Sequence, residues 1–223
     1  GLLFLLLLAV GLRAPGRLQA LAGLAVHADT DRYLYTIEAL LITLMRSAPW
    51  PGLIGFFSWR LELAAQGDEF PAAVAAGLVA GASVFLALDF LRLLCGPHSL
   101  AEAHFRWRPE ALRLLRRHLI AFMPVVLPAL FVFSSLEAQS HELRMNCLGR
   151  LAFVVALGAW LVFLLRVLRP SGPLIAEAIN RNRGGWLDRF RYVWYPLAVA
   201  APASLALMAL LGYFYTAQHL ERR

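Results

Sequence analysis

His98, His104, His118 and His141, together with Glu102, Glu110 and Glu142, are the side chains of this sequence best suited to holding a metal ion or moving a proton. Such chemistry needs the groups at fixed spacing, as in two histidines one helical turn apart or a cysteine pair separated by two residues. No HExxH, no CxxC and no paired carboxylates at ligand spacing occur. His98, His104 and His118 fall in an arginine-rich stretch, where a solvated, interfacial role accounts for them. The sequence therefore points away from an enzyme and implies neither a metal nor another cofactor. Cys95 and Cys147 lack the spacing of a metal site as well.

Charges within apolar stretches carry more information, because an ionisable group in a membrane segment is a functional hypothesis by default. Glu38 and Asp89 sit toward the ends of their stretches, and Asp89 has Arg92 one turn away, so interfacial pairing explains them. Arg46 differs: it stands on the order of 20 Å along a helix from Tyr33, at a depth that neither acid shares. It is followed by Pro49-Trp50-Pro51. Two readings stay open for it, a guanidinium that snorkels outward from a helix ending near Ser47 and a buried functional charge. The first is favoured by the usual behaviour of arginine near helix ends.

These residues must be positioned by elements that live in lipid. Of the 223 residues 60% are hydrophobic and only 16% charged, and the mean hydropathy is +0.64, which no soluble globule of this length matches. A membrane helix needs about 20 apolar residues, and six runs answer to that, the first cut short. They are Gly1 to Leu12, Tyr33 to Trp59, Phe70 to Leu94, Leu119 to Leu136, Leu148 to Leu168 and Tyr192 to Tyr215. Alternating ten-residue segments, which would indicate a membrane barrel, are lacking. The expected fold is all-α, one polytopic transmembrane domain over residues 1–223. The chain opens on Gly1 in mid-run without a cleavable leader, so it reads as a piece of something longer.

All 21 cationic residues are arginine, and they follow an alternation. Arg13, Arg17 and Arg32 lie in the first connection. Arg92, Arg106, Arg108, Arg113, Arg116 and Arg117 lie in or beside the third, and Arg166, Arg169, Arg181, Arg183, Arg189 and Arg191 in or beside the fifth. The intervening connections and the C-terminal tail hold few. Arginine retained on the inner side places these three connections in the cytoplasm and the N-terminus outside. The net charge of +7 is thus a topology signal, and a nucleic-acid partner has no support. Cys95 and Cys147 then face opposite sides of the bilayer, too far apart for a disulfide.

Each basic connection leads into an outgoing helix with a proline at Pro49, Pro124 or Pro196, spaced 75 and 72 residues apart. The simplest description is a tandem of helical hairpins, broken or kinked at Pro49, Pro51, Pro124 and Pro196. From Pro109 onward Leu112, Leu115 and Leu119 alternate with Arg113, Arg116 and Arg117, the pattern of a basic amphipathic helix on an anionic membrane surface. Trp107 anchors it at the interface. The fifth connection repeats the scheme with Trp186, Arg189 and Arg191 after a Gly184-Gly185 break, so both read as interfacial elbows. Ala73, Gly77 and Gly81 recur every four residues, a small face that lets helices approach closely.

Four stretches, "YTIEALLITLMRSAPWP", "LAEAHFRWRPEALRLLRRHLIAFMPVVLPALF", "LGRLAFVVALGAWLVFLLRVLRP" and "NRNRGGWLDRFRYVWYPLAVAAPASLALMALLGYFYTA", carry a resemblance. The chain resembles the inner-membrane domain of the large bacterial mechanosensitive channels of small-conductance (MscS) type, the potassium-dependent and miniconductance members. "AEAHFRW" and "GGWLDRFRYVWYP" are the most specific parts. The resemblance implies peripheral transmembrane helices of an ion channel that relieves osmotic downshock. It also implies a homo-oligomeric parent, a heptamer, whose pore helix and vestibule lie beyond this sequence. Membrane lipids are the expected partners. Sensing candidates are then Arg46, Trp50, Trp107, Arg113, Arg116, Arg117, Trp186, Arg189 and Arg191. The rival readings are a structural membrane anchor and part of a secondary transporter, the latter disfavoured because no charges are matched at mid-depth.

Overall fold

The run from Tyr33 to Trp59 does not fold as one span. In a computed structural model it forms two helices, α1 (Arg32–Ser47) and α2 (Pro49–Ala65), bent by 52° at the break between them. Pro49 and Pro51 have no N–H to donate, so the carbonyls of Met45 and Ser47 lose their helical partners and the ladder parts. Ser47 Oγ donates to the Leu44 carbonyl at 2.9 Å, beside the Ala48 N–H that reaches the same oxygen at 3.0 Å, which closes the end of α1.

The structure describes residues 32–96, 101, 107–139, 145–169, 172, 174–175 and 191–211. The expected span at Gly1 to Leu12 and most of the fifth connection lie outside them. Among the described residues there are six α-helices and no strand. After α1 and α2 come α3 (Glu69–Leu94), α4 (Pro109–Glu137), α5 (Arg150–Val167), entered through a π-helical turn at Met145–Gly149, and α6 (Arg191–Leu210). Among the described residues four helical segments, Glu69–Leu94, Pro109–Glu137, Cys147–Val167 and Val193–Leu210, are each long and apolar enough to cross a membrane, and α1 with α2 meets the same length and composition only when the bent pair is counted as one span.

The turn between α2 and α3 is as short as a helical hairpin allows. Gln66 and Gly67 both take positive φ, 45° and 99°, the left-handed stop that ends helices, with glycine where a side chain would be strained. The Asp68 N–H then bonds back to the Ala65 carbonyl at 2.7 Å, and Glu69 in the first turn of α3 complements its dipole. Buried Ser58 donates to the Ala75 carbonyl at 2.7 Å, tying α2 to α3.

α4 is the centre of the domain, with α3 on one side and α5 on the other, and α6 packs on α5. One cluster joins Leu88 of α3 to Leu119, Phe122, Met123 and Val126 of α4. The Phe122 ring lies 5.0 Å from Phe163 and 5.6 Å from Trp160 of α5. A second cluster joins Phe153 and Leu157 to Ala209 of α6. In lipid such packing holds helices together through close contact rather than through expulsion of water. The outward faces stay apolar: Phe70 and Leu197 are each 68% exposed and Leu151 61%, a surface that only a bilayer or another apolar surface covers.

Two expectations change in form. Pro124 and Pro128 lie within α4, and Pro196 and Pro202 within α6, yet each helix continues through its prolines. Of the three expected breaks, only that at Pro49 interrupts a helix. The basic amphipathic segment from Pro109 is also not a separate element. It forms the first turns of α4 and runs uninterrupted into the span, because leucine, arginine and alanine are strong helix formers and nothing between Leu115 and Leu119 stops the ladder.

Candidate functional site: a hinge and a basic end

The hinge is built from Arg46 to Pro51. Ser47 is 1% exposed and Pro49 and Pro51 are buried, whereas Arg46 and Trp50 point outward, Trp50 being 61% exposed. Exposure of Arg46 places its guanidinium outside the packed interior, the arrangement expected of a snorkelling side chain. An amphipathic indole beside a guanidinium at a helix break suits the boundary between headgroups and acyl chains.

The second feature is a basic end, where α3 finishes and α4 begins. Asp89, with only 12% of its side chain exposed, accepts from Arg92 twice on one carboxylate oxygen: Nε at 2.7 Å and Nη2 at 2.6 Å. The pair expected from the sequence is therefore formed, and it satisfies the one buried carboxylate among the described residues. Cys95 follows at the end of α3, buried and unbridged. Burial pushes its thiol up to about 11, and the neighbouring Arg116 charge offsets only part of that rise. Cys147 is exposed and also free.

Along the start of α4, Trp107 and Arg113 are exposed, and Arg113 Nε reaches the Pro109 carbonyl at 3.3 Å. Arg117 is exposed too, while Arg116 turns inward and leaves its Nε buried without a partner among the described residues. His118 faces α5, where Arg166 stands beside it. No group of three or more metal-ligating side chains forms among the described residues. Trp186 and Arg189 lie outside the described residues; Arg191 opens α6, with its side chain outside them.

The small face on α3 acts at one position. A Cβ on Gly77 would collide with Ser135 Oγ and come within 2.8 Å of the Phe131 carbonyl, whereas one on Gly81 would meet open space. Gly77 is therefore where α3 comes closest to the backbone of α4, and Ala73, one turn earlier, is 1% exposed. Sequence reasoning missed two polar links. Ser58 to Ala75 was one, hidden because a serine in an apolar run carries no periodic signal. The other is Arg150, whose guanidinium donates to the Leu210 carbonyl at the end of α6, a cation on the negative pole of a helix.

The described residues thus form a hinged, outward-apolar helical array with one basic end. Residues 1–223 match the family described as "Mechanosensitive ion channel inner membrane domain 1". Over 200 residues, 86% of this chain, the sequence is 26% identical to the miniconductance mechanosensitive channel MscM of Escherichia coli strain K12. The chain spans 17% of that relative's length. No solved structure matches it. The chain thus belongs to the mechanosensitive ion channel inner membrane domain family, as a multi-pass domain of the inner membrane.

Proposed function

We propose that this domain is a peripheral, tension-responsive part of a mechanosensitive channel that opens on osmotic downshock, with the conduction path formed elsewhere in the parent chain. The parent is read as a homo-oligomer, a heptamer by resemblance to its family. In this reading the basic end faces the cytoplasm and the π-turn end the periplasm, which the arginine distribution supports. The observation that carries the reading is the 52° break at Pro49, in a pair of helices whose outward faces are apolar. A bent helix pair occupies more membrane area than a straight one. Tension then favours whichever state has the larger area, by that difference alone.

Patch recording of the parent channel under graded suction tests this. Replacing Arg113, Arg116 and Arg117 together by Gln removes contacts worth on the order of 1 kcal/mol each at an anionic surface. The opening threshold should shift while single-channel conductance stays nearly constant; a changed conductance at an unchanged threshold would place this region in the pore. Orientation is tested with the two native cysteines. An impermeant thiol reagent on intact cells should label Cys147 and leave Cys95 unmodified, since Cys95 is buried, remains a thiol below about pH 11 and faces inward. Labelling of Cys95 from outside would invert the topology.

A further inference from the structure

Between α4 and α5 runs an open groove of about 270 Å³. Its α4 wall carries His118, Ala121 and Val125, and its α5 wall carries Gly158, Val162 and Arg166. The α4 residues recur at three- and four-residue intervals, so the wall is one helix face, about 10 Å long from His118 to Val125. The helices are antiparallel, so His118 and Arg166 meet at the same mouth, and Arg117 adds its charge to the imidazole's surroundings. Below the mouth the lining is apolar throughout. Gly158 keeps the floor open, since a Cβ there would find nothing within 4 Å. Among the described residues no carboxylate pairs with Arg117 or Arg166. A slot with cationic donors at its rim and only hydrocarbon below matches an amphiphile that carries a phosphate above an acyl chain.

We propose that this groove holds one anionic phospholipid per subunit, its phosphate against Arg166 and His118 and one acyl chain along Val125, Gly158 and Val162. This site is distinct from the diffuse attraction of the α4 arginines to a charged surface, because it requires the slot as well as the charge. It rests on the orientation proposed above only for assigning the lipid to the inner leaflet. Occupancy wedges α4 apart from α5 on the side where Phe122, Trp160 and Phe163 pack.

The test uses the intact parent protein, purified with phosphatidylglycerol or phosphatidylcholine present, and native mass spectrometry to count retained lipids; neither tension nor conductance enters it. The wild type should keep one more phosphatidylglycerol per subunit than Gly158→Leu, which fills the slot while leaving every charge in place. Arg166→Gln should bind about fivefold more weakly, the effect of one basic contact at an anionic headgroup. Excess inorganic phosphate should leave the lipid bound. On the unaltered protein, a phosphatidylglycerol bearing a photoreactive acyl chain should crosslink to Val125 or Val162, which keeps the test valid even where a variant fails to assemble. Equal retention by a folded Gly158→Leu protein, equal retention of phosphatidylcholine, displacement by phosphate, or crosslinks confined to other helices would each overturn the proposal.

Discussion

Pro49 with Pro51 and Pro124 with Pro128 are two proline pairs that the same sequence rule treats alike, and the fold treats them oppositely. The first pair bends its helices by 52°; the second rides within a 29-residue helix. Spacing is one cause. Prolines two residues apart free carbonyls on different sides of the helix, whereas prolines four apart free Ile120 and Pro124 on a single face. Packing is the other cause. Pro124 and Pro128 are exposed on the outward face while Leu119, Phe122, Met123 and Val126 are clamped between neighbours. Pro49 and Pro51 are buried, and α1 before them packs only lightly on α2 and α3. A proline breaks a helix where tertiary contacts do not oppose it, and transmembrane helices tolerate it where they do.

The comparison is broken most severely by removing the clamp. Gly77→Val should push α3 off α4 at Ser135 and Phe131, costing about 1–3 kcal/mol as overpacking, whereas Gly81→Ala should be neutral. Thermal unfolding in detergent checks both, and a Gly77→Val protein as stable as wild type would refute the close contact. Restoring the missing donors sharpens the contrast. Pro49→Ala with Pro51→Ala should straighten α1 against α2, read as a longer spin-label distance between positions 37 and 57. Pro124→Ala with Pro128→Ala should leave distances across α4 unchanged. The smallest effect is expected at Arg46→Ala, within about 0.5 kcal/mol as for an exposed substitution. A lost assembly, rescued by removing one particular acid, would reveal a buried pair instead.

The contrast also shows what was legible in the sequence. Helix type was, because apolar length is a direct physical requirement of the bilayer; the helical ends were less so, since Cys147–Val167 falls close to the expected Leu148 to Leu168 while α4 begins ten residues before the expected Leu119. The Asp89–Arg92 pair was legible because it is local. The survival of α4 through its prolines was not, since that depends on residues such as Leu88 and Phe163, distant in the chain. Gly77 stood out beforehand as one of three equivalent small residues. Only the crossing of α3 over α4 singles it out, and Gly81, one turn on, faces open space.

The hydrogen bond from Ser58 to the Ala75 carbonyl fixes more than a pair of helices. It sits in the middle of α2, and together with the tight turn at Gln66-Gly67 it leaves α2 no freedom apart from α3. Any rotation about Ala48 would therefore carry the two together as one arm. α2 is roughly 25 Å long at 1.5 Å per residue, so a change of ten degrees at Ala48 carries its far end about 4 Å sideways through the lipid. Without that serine the arm could flex along its length, and such a rotation would be taken up locally instead of reaching the Gly77 contact with α4.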